Sequence, residues 1–199
     1  MIEPGSHQKE KLTIDIVKAN VYAVMMILPV ILLYGLPYLI VWHDKFSISH
    51  LRNFMASVGI GIIGSIFLYI SVLIVGIVIH ELIHGLTWAL FAKNGFKSIS
   101  FGIMRQFLTP YCHCREPLQI WQYMTGAVTP AIILGLVPAI FSIINGSFAL
   151  LLFGIIFTVA AGGDLMIIYL LRKEKKNDLV QDHPTEAGCY VYRKVNSEQ

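Results

Sequence analysis

From Met55 to Ala92 the chain carries only four ionisable side chains, Tyr69, His80, Glu81 and His84, and everything else in the run is apolar or small and uncharged. Such a run exceeds the roughly 20 residues that cross a bilayer at about 1.5 Å per residue. Hydrocarbon offers no partner to backbone N–H and C=O groups, so the run must satisfy them internally as helix. It can be one long helix that projects beyond the membrane, or two spans meeting in a hairpin near Gly76. No Pro, Asn or Asp interrupts it, so the pattern predicts one helix with a break near Gly59, Gly61 and Gly64.

The remaining sequence agrees with that class. Of 199 residues 56% are hydrophobic and 14% charged, with mean hydropathy +0.68, which leaves too little polar surface for a soluble domain. A first run, Val21 to Trp42, follows Lys9, Lys11 and Lys18; it is too long for a signal-peptide core and no small-residue cleavage site follows it, so it reads as a retained span. Pro29, Gly35 and Pro37 should kink it. Leu118 to Ile144 is another span, with Trp121 and Tyr123 suited to the membrane interface. Asn145-Gly146 turns the chain, and a last span runs from about Ser147 to Leu171 before Arg172, Lys173, Lys175 and Lys176 stop it.

The expected fold is therefore an all-α polytopic membrane protein with about four transmembrane helices, 21–42, 55–92, 118–144 and 147–171. Residues 1–20 and 172–199 flank this membrane domain of 21–171 as polar segments. Between spans, Ser98 to Met104 and Phe107 to Cys114 have alternating or β-branched character and predict a small β-hairpin within 98–114.

Basic residues orient the chain. The Lys/Arg cluster after Leu171 places the C-terminus in the cytoplasm by the positive-inside rule, and four spans place the N-terminus there too. The 93–117 loop, with Lys93, Lys97, Arg105 and Arg115, is then also cytoplasmic, against Lys45 and Arg52 outside. The net charge of +3 reads as membrane orientation and not as nucleic-acid binding. Cys112, Cys114 and Cys189 fall on the reducing side and form no disulfide framework.

His80-Glu81-Leu82-Ile83-His84 puts two imidazoles four residues apart on one helix face, able to reach one metal, with Glu81 beside the open coordination position. Ionisable groups at membrane depth are costly and mark function. His84 lies nine residues before Lys93 and Asp164 eight before Arg172, so both sit about 12–14 Å above their helix ends. Asp164 is the only carboxylate between Glu116 and Glu174, and Ala160, Ala161, Gly162 and Gly163 before it permit close helix approach. The expected zinc ligands are His80, His84 and Asp164, with Glu81 as general base. A strand edge of the 98–114 hairpin would hold an extended substrate by strand addition. The blander readings are a buried polar cluster joining helices, and for Cys112, His113 and Cys114 reduced thiols and a loop histidine. His43, His50 and His183 read as solvated.

The HELIH pentapeptide in one span, with Asp164 in a later one, resembles the three-helix core of the site-2 protease class of intramembrane zinc metalloproteases. The chain is more closely similar to a family of small bacterial membrane proteins described as putative zincin peptidases. That likeness rests also on Thr109-Pro110-Tyr111-Cys112-His113-Cys114, Arg115-Glu116-Pro117, Gly162-Gly163-Asp164 and Asp182-His183-Pro184 near Gly188. It implies zinc held by His80, His84 and Asp164, Glu81 as base, and a membrane protein or peptide as substrate in a bacterial cytoplasmic membrane. In site-2 proteases a Gly normally follows the acidic ligand, whereas here two glycines precede it and Leu165 follows. An inactive metal-binding homologue or scaffold is the alternative, and a metal transporter or sensor fits less well because span one has no charged residue. Oligomeric state stays open.

Overall fold

The computed structural model describes residues 7–45, 59–104, 109–183, 186 and 188–194. His50, Arg52, residues 55–58 at the start of the second apolar run, Arg105, Phe107 and Pro184 lie outside the described residues. Helices α1 (Ile16–Trp42) and α2 (Gly61–Ala89) lead the chain, and α2 is continuous at Gly76. Gly59 and Gly61 take left-handed φ of 76° and 70° just where the helix begins. Next come hairpin strands β2 (Ile99–Met104) and β3 (Thr109–Cys114), the short β4 (Leu118–Gln119) and α3 (Ile120–Pro130). A π-helical turn (Ala131–Leu136) joins α3 to α4 (Val137–Asn145). Helices α5 (Phe148–Ala160) and α6 (Gly162–Leu171) follow, then β5 (Leu179–Asp182) and β6 (Gly188–Lys194), while β1 (His7–Thr13) precedes α1.

Three helical segments, Val21–Trp42, Gly61–Ala89 and Ile120–Asn145, are long and apolar enough to cross a membrane, and α5 with α6 makes a fourth if taken as one broken span. Their large apolar side chains stay outward, Ile40 at 78% and Ile63 at 73% exposure, a surface suited to lipid and not to water. The break at Ala161 departs from the single last span expected from sequence. Ala160 to Gly163 offer little side-chain packing to carry a helix through, and Ala161 leaves helical geometry with ψ 7°.

The chain divides into two compact units, one of residues 23–80 and 130–161, the other of residues up to 22, 81–129 and from 162 onward. In the first, Tyr34, Tyr38 and Trp42 recur every four residues and so share one face of α1. The Tyr38 hydroxyl donates to the Gly146 carbonyl at 2.9 Å and Trp42 Nε1 to the Ile143 carbonyl at 2.8 Å. Carbonyls at a helix C-terminus lack in-helix partners, and in hydrocarbon each unsatisfied group costs several kcal/mol, so these two aromatics complete α4. The Tyr34 hydroxyl shares a 3.2 Å hydrogen bond with Thr158 Oγ1. Val30, Ala139 and Leu151 fill the space between.

The second unit holds an antiparallel sheet in the order β1-β6-β5-β4, which corrects the all-α expectation. Strand β1 pairs with β6 from His7↔Lys194 to Thr13↔Gly188, and β5 with β6 through Asp182↔Cys189. Alternation buries Cys189 and Val191 from β6 and Val180 from β5 against Leu118, Ile120, Leu171 and Trp88. Arg193 grips both Glu174 oxygens at 2.7 Å and also reaches Glu10, while Lys9 lies 3.6 Å over the Tyr190 ring. The hairpin expected in 98–114 forms, with Ile99↔Cys114 and Met104↔Thr109 at its ends.

Candidate metal centre

Helix α2 sets His80 and His84 one turn apart, and both are buried, at 8% and 3% exposure. His84 Nδ1 lies 2.9 Å from the Gly126 carbonyl. A carbonyl only accepts, so Nδ1 carries the hydrogen, and in the neutral ring Nε2 is then the lone-pair nitrogen. That nitrogen stands 3.3 Å from Asp164 Oδ1. A cation between them satisfies both acceptors, and 3.3 Å is about the donor–donor edge of a tetrahedron whose metal–ligand bonds are 2.0–2.1 Å. The ligating atoms of His80, His84 and Asp164 all lie within 4.8 Å of one another, the one such cluster among the described residues. Two imidazoles and one carboxylate are the donor set of a catalytic zinc site with a fourth position left for water.

Asp164 owes its place to the break before it. It sits in the first turn of α6, behind Gly162 and Gly163, where the positive end of the helix favours a carboxylate. Glu81, half-buried, follows His80 directly. On the hairpin nearby, burial raises the Cys112 thiol strongly and the Glu81 carboxylate adds to it.

An aromatic stack backs the His84 ring. Trp88 lies parallel to it, with centroids 5.1 Å apart, and Tyr123 lies parallel to Trp88 at 5.1 Å. Trp88 Nε1 donates to the Tyr123 carbonyl at 3.0 Å. The indole occupies the space where Gly126 has no Cβ; an added one would lie 2.1 Å from Nε1. Gly126 thus offers its carbonyl to His84 and its bare Cα to Trp88.

Little in the local pattern points to this support. Trp88, four residues after His84, is on the same helix face and was within reach of pattern reading. Tyr123 is 4% exposed, a buried side chain and not the interfacial one expected, because the sheet and α2 close over it. Gly126 carries no local signal at all.

The other singled-out residues do other work. His113 Nδ1 is 3.5 Å from Asp182 Oδ2. Cys112, Cys114 and Cys189 are free and buried. Burial, partly offset by the bond to the Glu116 carbonyl, holds the Cys114 thiol at about 11. Burial, with Asp182 and Glu174, takes Cys189 to about 12. Thiols at those values are protonated at neutral pH and serve as apolar packing. His183, expected to be solvated, is 5% exposed, and its Nδ1 accepts from the Glu186 amide at 3.0 Å. Its position after β5, under Tyr190, accounts for the difference. His43 is exposed beside Asp44.

No curated protein and no solved structure matches the chain. Residues 73–179, which contain His80, Glu81, His84 and Asp164, match the family described as putative zincin peptidases, and the chain belongs to that family.

Proposed function

We propose that this protein is an intramembrane zinc metalloprotease that hydrolyses a peptide bond of a membrane-associated substrate, with Glu81 as general base. The observation that carries the reading is the convergence of the His80, His84 and Asp164 donors, with the His84 tautomer fixed by Gly126. Family membership points to a metallopeptidase and to zinc. When bound, zinc supplies Lewis acidity, lowering the pKa of water towards about 7 and polarising a carbonyl. His80, His84 and Asp164 hold it. Glu81 takes the proton of the attacking water and delivers it to the departing amine nitrogen.

Strand β2 supports a route for substrate. Among the described residues it pairs only with β3, and Phe101 on it packs against Gly85, the residue after His84; a Cβ there would meet the ring at 2.5 Å. An extended peptide added to that edge would present its carbonyls beside the motif. The basic segments favour termini on the cytoplasmic side, which sets cleavage in or near the cytoplasmic leaflet. The three-helix arrangement of site-2 proteases is part of this proposal.

The test is metal content and cleavage of a transmembrane reporter by purified protein in lipid. Wild type should carry one zinc and cut. Glu81→Gln should keep zinc and lose cleavage by roughly 100-fold or more, while His80→Ala and Asp164→Ala should lose zinc. Wild type that holds zinc but cuts no membrane substrate would favour a metal-binding scaffold.

A further inference from the structure

Tyr123 and Asp182 lie outside the donor set, yet the structure connects them to it. Asp182 ends β5, and its side chain is 9% exposed. Its two oxygens face three groups, one of them His113, whose Nδ1 is 3.5 Å from Oδ2. The Tyr123 hydroxyl donates to Oδ1, and the backbone amide of Cys114, at the end of β3, donates to Oδ2 at 2.9 Å. Tyr123 is thereby held at both ends, its hydroxyl by Asp182 and its ring by Trp88, which also stacks on His84. A buried phenol–carboxylate pair adds little stability over an apolar pair of the same shape; what it adds is a directional hold on the ring. Close-packed interiors transmit small displacements, and zinc ligands must stay within about 0.2 Å of ideal distances.

We propose that Tyr123 and Asp182 are positioning residues of the metal centre, fixing Trp88 against the His84 imidazole, so that the sheet formed by the chain ends is a working part of the site. This gives a task to Asp182 and to the end of the Thr109–Cys114 strand, which the hydrolytic machinery leaves unused. It rests on the zinc reading above.

The experiment compares zinc affinity, by chelator competition, and the visible spectrum of the cobalt-substituted full chain in detergent, beside melting of the metal-free form. Tyr123→Phe and Asp182→Asn should each weaken zinc about tenfold and shift the cobalt bands. The double variant should be no weaker than the weaker single one, since both break one linkage. Tyr38→Phe is the control: it deletes a buried tyrosine hydrogen bond of the other unit and should lower melting without changing zinc affinity. If Tyr123→Phe behaves like Tyr38→Phe, the pair is structural and the proposal falls. Wild type that takes no zinc overturns the metal reading itself. Should Asp182→Asn fail to fold, Tyr123→Phe, which keeps the ring, decides alone.

Discussion

Gly126→Ala is the smallest change that strikes the metal centre without touching a donor. The new methyl would stand 2.1 Å from Trp88 Nε1 and 2.2 Å from its Cδ1. Ordinary contact begins near 3.4 Å, so the indole must retreat by about 1.3 Å. Its ring is stacked with both His84 and Tyr123, each 5.1 Å away between centroids. Over-packing of this kind costs about 1–3 kcal/mol, and loss of the Trp88–Tyr123 hydrogen bond adds about 1 kcal/mol. Alanine in place of glycine within a helix returns up to about 1 kcal/mol. The net expectation is a loss of about 1–3 kcal/mol, with zinc affinity lowered about 10–100-fold as the Gly126 carbonyl shifts under His84. Melting of the metal-free protein in detergent and chelator competition read the two effects separately. A variant that melts at or above wild type and binds zinc equally well would refute the seating of Trp88 on Gly126.

Other outcomes follow from the same contacts. Gly85→Ala should be milder than Gly126→Ala in melting, because the nearest atom is the tip of the half-exposed Phe101, which can swing aside, and the next, Ile99 Cγ2, is at 3.0 Å, against 2.1 Å at Gly126. The three cysteines should resist maleimide at pH 7.5 in the folded protein and label on denaturation, given buried thiols with Cys114 near 11 and Cys189 near 12. The Ser98 hydroxyl, with Asn94 and the Lys93 amide, holds the Glu116 carboxyl below its ordinary range. A depressed carboxylate stabilises above its unfolded pKa of about 4.3, and the effect vanishes as pH falls through the folded value. Amide exchange at Lys93, corrected for intrinsic rate, should therefore rise below about pH 4 in wild type, and Glu116→Gln should remove that dependence. The Arg193 guanidinium, bonded to Glu174, holds that carboxyl below its ordinary range and gives the sheet the same direction of acid sensitivity.

What could be read from sequence was whatever depends on local pattern or on membrane physics. The HELIH spacing, the apolar helices, the 98–114 hairpin and the depth match that picked out Asp164 all come from residues near one another or from the bilayer's fixed thickness. The sheet was missed because β1 and β6 come from opposite ends of the chain, and a lysine-bearing segment such as His7–Thr13 looks like a solvated tail until its partner is known. The break at Ala161 is hidden in the sequence because the same small residues, Ala160 to Gly163, equally suit close helix approach. Tyr123 reads as interfacial because nothing near it in sequence shows that Trp88 and Asp182 enclose it. For the sheet and for Tyr123 the deciding contacts are non-local.

X-ray absorption at the zinc edge of the purified protein reads the donor set of the metal centre itself. One zinc per chain is expected, with only nitrogen and oxygen neighbours at about 2.0–2.2 Å, and loss of that signal in Asp164→Ala. A sulfur shell at about 2.3 Å, which would enlist Cys112 or Cys114, or a wild-type protein without stoichiometric zinc, would contradict it.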